Sequence, residues 1–116
     1  MKPIVVALTG ASGVIYGVRL VQVLADLGRP VILLISDAAR IVLREEMGVV
    51  LRSATRSSDL ASLFTSDSLQ HITCYSVKDL TAPVASGSFP TEGMVISPCS
   101  MGTLGAVASG ISQNLI

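Results

Sequence analysis

The chain alternates short, wholly apolar runs with amphipathic stretches. Residues 4–8 (IVVAL) and 31–35 (VILLI) are continuous aliphatic runs with no polar alternation. A strand wetted on one face alternates, so these runs predict strands covered on both faces of a parallel sheet. Between them Tyr16, Leu20, Val23, Leu24 and Leu27 recur at helical spacing; Gly28 stands at the C-cap position and Pro30 breaks the chain. Ser36-Asp37 are good cap residues for a second helix reaching about Met47. The pattern then weakens. Residues 53–67 are rich in Ser and Asp and predict one short helix around 59–64. Residues 72–75 read as a short strand, and 81–91 (TAPVASGSFPT) as a loop. Residues 94–97 form a third strong strand, followed by a small-residue helix from about Thr103. Strands alternating with helices across Gly-bearing turns predict one α/β domain over residues 1–116. Its architecture is a Rossmann-like, doubly wound parallel sheet in three α/β/α layers.

Composition narrows the function classes. Hydrophobic residues make up 50% of the chain and charged residues 14%, which excludes a disordered tail. Eight Lys and Arg are balanced by eight Asp and Glu, so nothing here matches the phosphate backbone of a nucleic acid. The charge is unevenly spread: residues 93–116 contain no Asp, Glu, Lys, Arg or His. A membrane span needs ~20 mostly apolar residues, but Gly93, Pro98, Gly102, Gly105 and Gly110 interrupt this run, and no basic or aromatic anchors flank its far side. The segment is expected in the middle of a buried layer, with more protein to follow and the fold incomplete at its C-terminus. No targeting signal opens the chain. Cys74 and Cys99 form no CxxC pair and have no nearby His, so neither a disulfide nor a zinc site is expected, and a reducing cytoplasm is the natural compartment.

The sharpest chemical signal is the first strand-to-helix turn, Thr9-Gly10-Ala11-Ser12-Gly13. Its glycines allow a tight turn, and the N–H groups opening the helix suit a phosphate; the alternative is an ordinary tight turn. The dinucleotide pattern G-x-G-x-x-G is missing, Tyr16 stands where the third glycine of the dehydrogenase variant belongs, and no Y-x-x-x-K pair occurs. Asp37 reads either as a ribose-binding carboxylate or as part of a helix cap shared with Ser36. In an open parallel sheet ligands sit beyond the carboxyl ends of the strands. Ser12, Ser36, and Ser100 with Thr103 would then point hydroxyls into one crevice, each alone being a plausible helix cap. Such a crevice favours a planar, phosphorylated cofactor.

The runs TGASGVIYGVRL (9–20), ISDAAR (35–40), PVASGSF (83–89) and MVISPCSMGTL (94–104), in this order, resemble the UbiX-type flavin prenyltransferases. The resemblance covers nearly the whole chain. It implies a Rossmann-like fold of the flavin-binding Cys-decarboxylase-like superfamily and a homo-oligomer, typically a dodecamer. The implied activity joins a dimethylallyl group from dimethylallyl phosphate to N5 and C6 of reduced FMN, without a metal. The product serves a partner UbiD-type decarboxylase. Carried over position by position, Gly10, Ala11 and Ser12 become an FMN-binding turn, and Ser36, Ser100, Met101, Gly102 and Thr103 further FMN contacts. Ser12 and Glu46 become the pair that moves protons around N5, and Ser86 a contact to the dimethylallyl phosphate. Glu46 also reads as one more charge on a solvated helix face, and Ser86 as a loop serine.

The resemblance also implies a longer protein, whose charged phosphate-handling residues and site-closing aromatic follow the position of Ile116. Two alternatives share the fold: a flavin-dependent cysteine-type decarboxylase, whose PASANT motif is replaced here by PVASGSF, and a non-catalytic FMN-binding module. His71 lies outside every motif, and Cys99, with no base beside it, reads as a packing residue.

Overall fold

The computed structural model describes residues 1–52 and 57–116; the start of the Ser- and Asp-rich stretch, 53–56, lies outside the described residues. Strands β1 (Ile4–Leu8), β2 (Val31–Ile35), β3 (Ile72–Ser76) and β4 (Gly93–Ile96) form one parallel sheet in the order β3-β2-β1-β4. Helices α1 (Val14–Asp26), α2 (Asp37–Met47), the single turn α3 (Ser66–Leu69) and α4 (Met101–Ser109) connect or follow them. The chain builds outward from β1 to β3, then crosses back to place β4 on the other side of β1. That reversal puts a topological switch point between β1 and β4, as in a Rossmann-like α/β fold.

The two apolar runs are the central strands, and every residue of β2 is buried. One face of the sheet carries the main core: Val6, Leu8, Leu33 and Ile35 pack with Val14, Val18 and Val21 of α1 and Leu43 of α2. The other face, with Val5, Ala7, Ile32 and Leu34, is covered by Tyr75, Val77, Val84, Phe89 and the final Leu115 and Ile116. Three boundaries differ from expectation. Residues 57–62 form a 3-10 turn rather than a helix at 59–64, the turn α3 follows it, and loop 81–91 contains a short 3-10 turn, Pro83–Ala85.

The helix predicted from Tyr16, Leu20, Val23, Leu24 and Leu27 is present, but that stripe lies beside its most buried face: Leu20 and Leu24 pack at the core's edge, Tyr16 is 74% exposed and Leu27 71%, while Val14, Gly17, Val18, Val21 and Ala25 face inward. The helix is apolar on more than one side, and the sheet accepts its narrow face, where small and β-branched residues permit close approach. Residues 93–116, expected in a buried layer with more protein to follow, are left largely uncovered by the described residues. β4 is the sheet edge, with Gly93, Met94 and Val95 exposed, and α4 buries no residue. Leu104, Val107 and Ile111 are each more than half exposed, so an apolar face stands open. Among the described residues, no helix is long and apolar enough to cross a membrane.

Among the glycines, the closest approach to a neighbouring element joins α1 to the turn after β4. A Cβ added at Gly17 would lie 2.0 Å from the Ser97 carbonyl oxygen and 2.4 Å from Leu8 Cδ2. Alanine has the better helix propensity by about 1 kcal/mol, but a backbone carbonyl between two elements cannot yield. Gly17→Ala is therefore expected to destabilise the protein by about 1–3 kcal/mol. Urea denaturation checks this, and a raised midpoint would contradict it.

Candidate functional site

The strand registers put the ends of the central strands at one level. Leu8 pairs with Ile35 and Ile35 with Ser76, while Ala7 pairs with Ile96. The next residues along, Thr9, Ser36, Val77 and Ser97, therefore line the carboxyl edge of the sheet. The parallel ladder runs past the strands: Ser36 N donates to Leu8 O at 3.0 Å, Ser97 N to Ala7 O at 2.9 Å, and Thr9 N to Pro98 O at 3.2 Å.

Thr9, absent from the sequence-derived site, holds this edge together. Its side chain is 1% exposed. The hydroxyl donates to the Pro98 carbonyl and accepts from the Ser100 N–H at 2.8 Å. One buried side chain thus ties the turn after β1 to the turn after β4, across the switch point. The sequence held a signal, a hydroxyl directly after a buried strand, but not the partner 89 residues away.

Around this tie lie two adjoining cavities. The larger, about 390 Å³, is lined by Gly10, Ser36, Asp37, Lys78, Ser100 and Thr103, among others. The smaller, about 130 Å³, adds Gly102, Ala106 and Val107, and both share Ser36, Thr103, Gln113 and Asn114. Gly10, Ser36, Ser100, Gly102 and Thr103 thus line these adjoining cavities, whereas Ser12, expected to share the crevice with Ser36, Ser100 and Thr103, lines neither. Ser36 and Ser100 are also true helix caps: Ser36 Oγ accepts from Ala39 N at 3.0 Å, and Ser100 Oγ from Thr103 N at 3.1 Å. Ser100 donates its own hydrogen to Thr103 Oγ1 at 2.9 Å, which leaves the Thr103 hydroxyl hydrogen available to a ligand. Among the described residues the Ser36 hydroxyl hydrogen likewise meets no acceptor.

Met101 is 82% exposed, and neither it nor Ala11 lines the crevice. Ser86 lies on the 83–89 segment, where its hydroxyl is shared with Ser88 at 2.9 Å. Asp37 is not the cap of α2; it sits in the first turn, paired with Arg40 at 2.6 Å and Lys78 at 3.3 Å. Both cations lower its pKa through hydrogen bonds, Arg40 first. Cys99 is exposed rather than packed, its Sγ lying 3.6 Å from the Ser100 carbonyl oxygen. Burial, reinforced by the charge of Asp59, pushes the Cys74 thiol up to about 12, which removes it as a nucleophile near neutrality.

Ser12 and Glu46 do meet. Ser12 donates to Glu46 Oε2 at 2.8 Å, and the Gly13 and Val14 N–H groups donate to Oε1 at 3.0 and 3.4 Å. Gly13, with φ 91°, has no side chain to cap α1, so the carboxylate at the end of α2 does it. This corrects the expectation that the first amides of α1 are free for a phosphate: Glu46 already fills that place. The attraction is the one a phosphate would use, donors and the positive end of a helix dipole facing an anion. The Ser12 hydrogen bond first, and then the Gly13 N–H, hold the Glu46 carboxyl below its usual range, so it is ionised at neutral pH.

Two predictions follow from this geometry. Thr9→Val orphans the partly buried Ser100 N–H and is expected to destabilise the fold by about 1–3 kcal/mol, with Thr9→Ser recovering most of it. A wild-type urea midpoint for Thr9→Val would remove Thr9 from this role. A lowered folded pKa means that the Glu46 contribution is present above the unfolded value of 4.5 and is lost as pH falls through the folded pKa. Glu46→Gln should therefore show a shallower loss of stability on acidification below pH 4.5 than wild type does. Superimposable slopes in acid titration would exclude the effect.

Comparison with known proteins adds the lineage. Flavin prenyltransferase UbiX of Halalkalibacterium halodurans is 42% identical over 111 residues, covering 96% of this chain and 52% of the relative. The crystal structure of AnUbiX in complex with FMN and dimethylallyl pyrophosphate superposes with TM-score 0.76 at 32% identity, covering 98% of this chain and 54% of the other. A dodecameric FMN-dependent UbiX-like decarboxylase from Escherichia coli O157:H7 gives TM-score 0.75 at 32% identity, with 97% and 55% covered. The chain thus spans about half the length of the curated relatives it matches. The family described as Flavoprotein matches residues 1–116, and this chain, with its switch-point crevice of hydroxyls, belongs to it.

Proposed function

We propose that this chain is the FMN-binding half of a flavin prenyltransferase, acting on dimethylallyl phosphate. The observation that carries the reading is the crevice at the switch point, where the Ser36 and Thr103 hydroxyls share a cavity with Gly10 of the turn after β1. The donor set fits FMN. Hydroxyls and small residues suit the ribityl chain and a planar ring, and Gly102 adds no side chain to the lining of the smaller cavity. Gly10, Ser36, Ser100, Gly102 and Thr103 would hold the cofactor in the crevice, Ala11, Ser12 and Met101 would meet it from outside that lining, and Ser86 would contact the dimethylallyl phosphate. When bound, reduced FMN supplies the N5 and C6 atoms that receive the dimethylallyl group.

The protein's own part is positioning and proton handling. Ser12 donates its hydrogen to Glu46, so its lone pairs are left to accept an N–H. A proton arriving at Ser12 Oγ could then be passed to Glu46 as Ser12 releases its own hydrogen. Because Glu46 is ionised, the pair works in the accepting direction. The same reading includes a homo-oligomer, on the precedent of the dodecameric relative, and delivery of the prenylated cofactor to a UbiD-type decarboxylase. It also includes a reducing cytoplasm, which suits the free thiols of Cys74 and Cys99. The open apolar face of β4 and α4 fits the greater length of the relatives, whose further polypeptide would cover it.

The decarboxylase name carried by the Escherichia coli neighbour favours a second reading, in which the same FMN site serves release of carbon dioxide. One experiment separates the two. The intact protein, supplied with reduced FMN and dimethylallyl phosphate, is expected to yield a flavin heavier by one dimethylallyl unit in mass spectrometry. Recovery of unmodified FMN would overturn the prenyltransferase reading. Ser12→Ala and Glu46→Gln are each expected to lower kcat by about 10²-fold or more while FMN still binds. Undiminished turnover would remove their proton-handling role.

A further inference from the structure

We propose that Lys78 is the phosphate-binding cation of the crevice, held ready by Asp37 for the phosphate monoester of a bound ligand. The inference rests on the flavin reading and deepens it, because both FMN and dimethylallyl phosphate carry such a group. Its basis is placement. β3 ends at Ser76, opposite Ile35, so Lys78 arrives beside the turn that opens α2. There it lines the 390 Å³ cavity with Gly10, Ser36, Asp37, Ser100 and Thr103. Among the described residues lining that cavity Lys78 is the only cation and Asp37 the only anion.

An unpaired carboxylate in this position would repel a phosphate. Asp37 is instead neutralised twice, and the two contacts are unequal. Arg40, one turn along the same helix, is 2.6 Å from Asp37 Oδ1. Lys78 comes from a different element, is 3.3 Å from Oδ2, and its side chain is 65% exposed. An exposed pair of this kind contributes little net stability, so the ammonium can change partners cheaply. A phosphate offers it a charge-assisted bond, strengthened by the positive end of α2 at the same cavity. Arg40 remains on Asp37 and keeps the carboxylate masked after Lys78 has turned away. Asp37 therefore acts as a holder that orients Lys78.

The test uses the intact protein, with FMN and riboflavin titrated by flavin fluorescence. FMN is expected to bind wild type more tightly than riboflavin does. Lys78→Ala should weaken FMN binding by about 10-fold, leave riboflavin unchanged and flatten the salt dependence, with Lys78→Arg restoring most of the margin. That result assigns Lys78 to the FMN phosphate. An unchanged margin with a raised KM for dimethylallyl phosphate assigns it to the substrate phosphate. If both are unchanged in Lys78→Ala, the proposal is overturned. Inorganic phosphate gives an arm independent of flavin: it should raise the Tm of wild type and not of Lys78→Ala. If no flavin binds but this difference persists, the flavin reading fails and the Lys78 site stands; equal shifts in the two proteins overturn the site.

Discussion

One buried hydroxyl governs the geometry of the carboxyl edge. Thr9 donates to Pro98 and accepts from Ser100, and in doing so it sets the distance between the first turn of the sheet and the last. Every group placed at the crevice from β4 and α4 depends on that distance, including the Ser100–Thr103 hydroxyl chain and Gly102. Gly17 supports the same contact from below, because only a residue without a Cβ lets α1 approach the Ser97 carbonyl. A crevice with two flexible walls could not keep hydroxyls at fixed separation. A polar tie inside an apolar core supplies that rigidity because leaving its partners unpaired would be unfavourable.

Several site groups serve structure and chemistry at once. Ser36 and Ser100 cap helices with their oxygens and retain hydroxyl hydrogens, directly or through Thr103, for a ligand. Glu46 caps a helix to which it does not belong and is thereby kept ionised beside Ser12. Asp37 is screened by Arg40 and Lys78. The site thus assembles its charges in pairs, and the chain's low charge density concentrates electrostatic influence at few positions. This economy also explains why a carboxylate, rather than an external anion, occupies the start of α1: it is tethered, and its effective concentration there is high.

The sequence disclosed much of this unevenly. The strands at 4–8 and 31–35 were legible because burial on both faces leaves an uninterrupted apolar run. The caps at Ser36 and Ser100 were legible because N-cap chemistry is local. The buried face of α1 was not legible because several of its faces are apolar, and hydrophobicity cannot say which one the sheet will accept. The apolar character of β4 and α4 was legible for the same local reason, but an apolar segment is buried only where another element reaches it, and among the described residues little does.

What the sequence determined by itself is the class of fold, the order of strands and helices along the chain, and the family motifs that lead to flavin. These follow from local periodicity, turn chemistry and residue identity, each expressed within a few neighbours. The tertiary structure decided which polar residues act together. Thr9 with Ser100, Ser12 with Glu46, and Asp37 with Lys78 are separated by 91, 34 and 41 positions. No local rule pairs them. The parallel crossovers bring their elements to one edge, and the need to satisfy buried or charged groups there selects the partners.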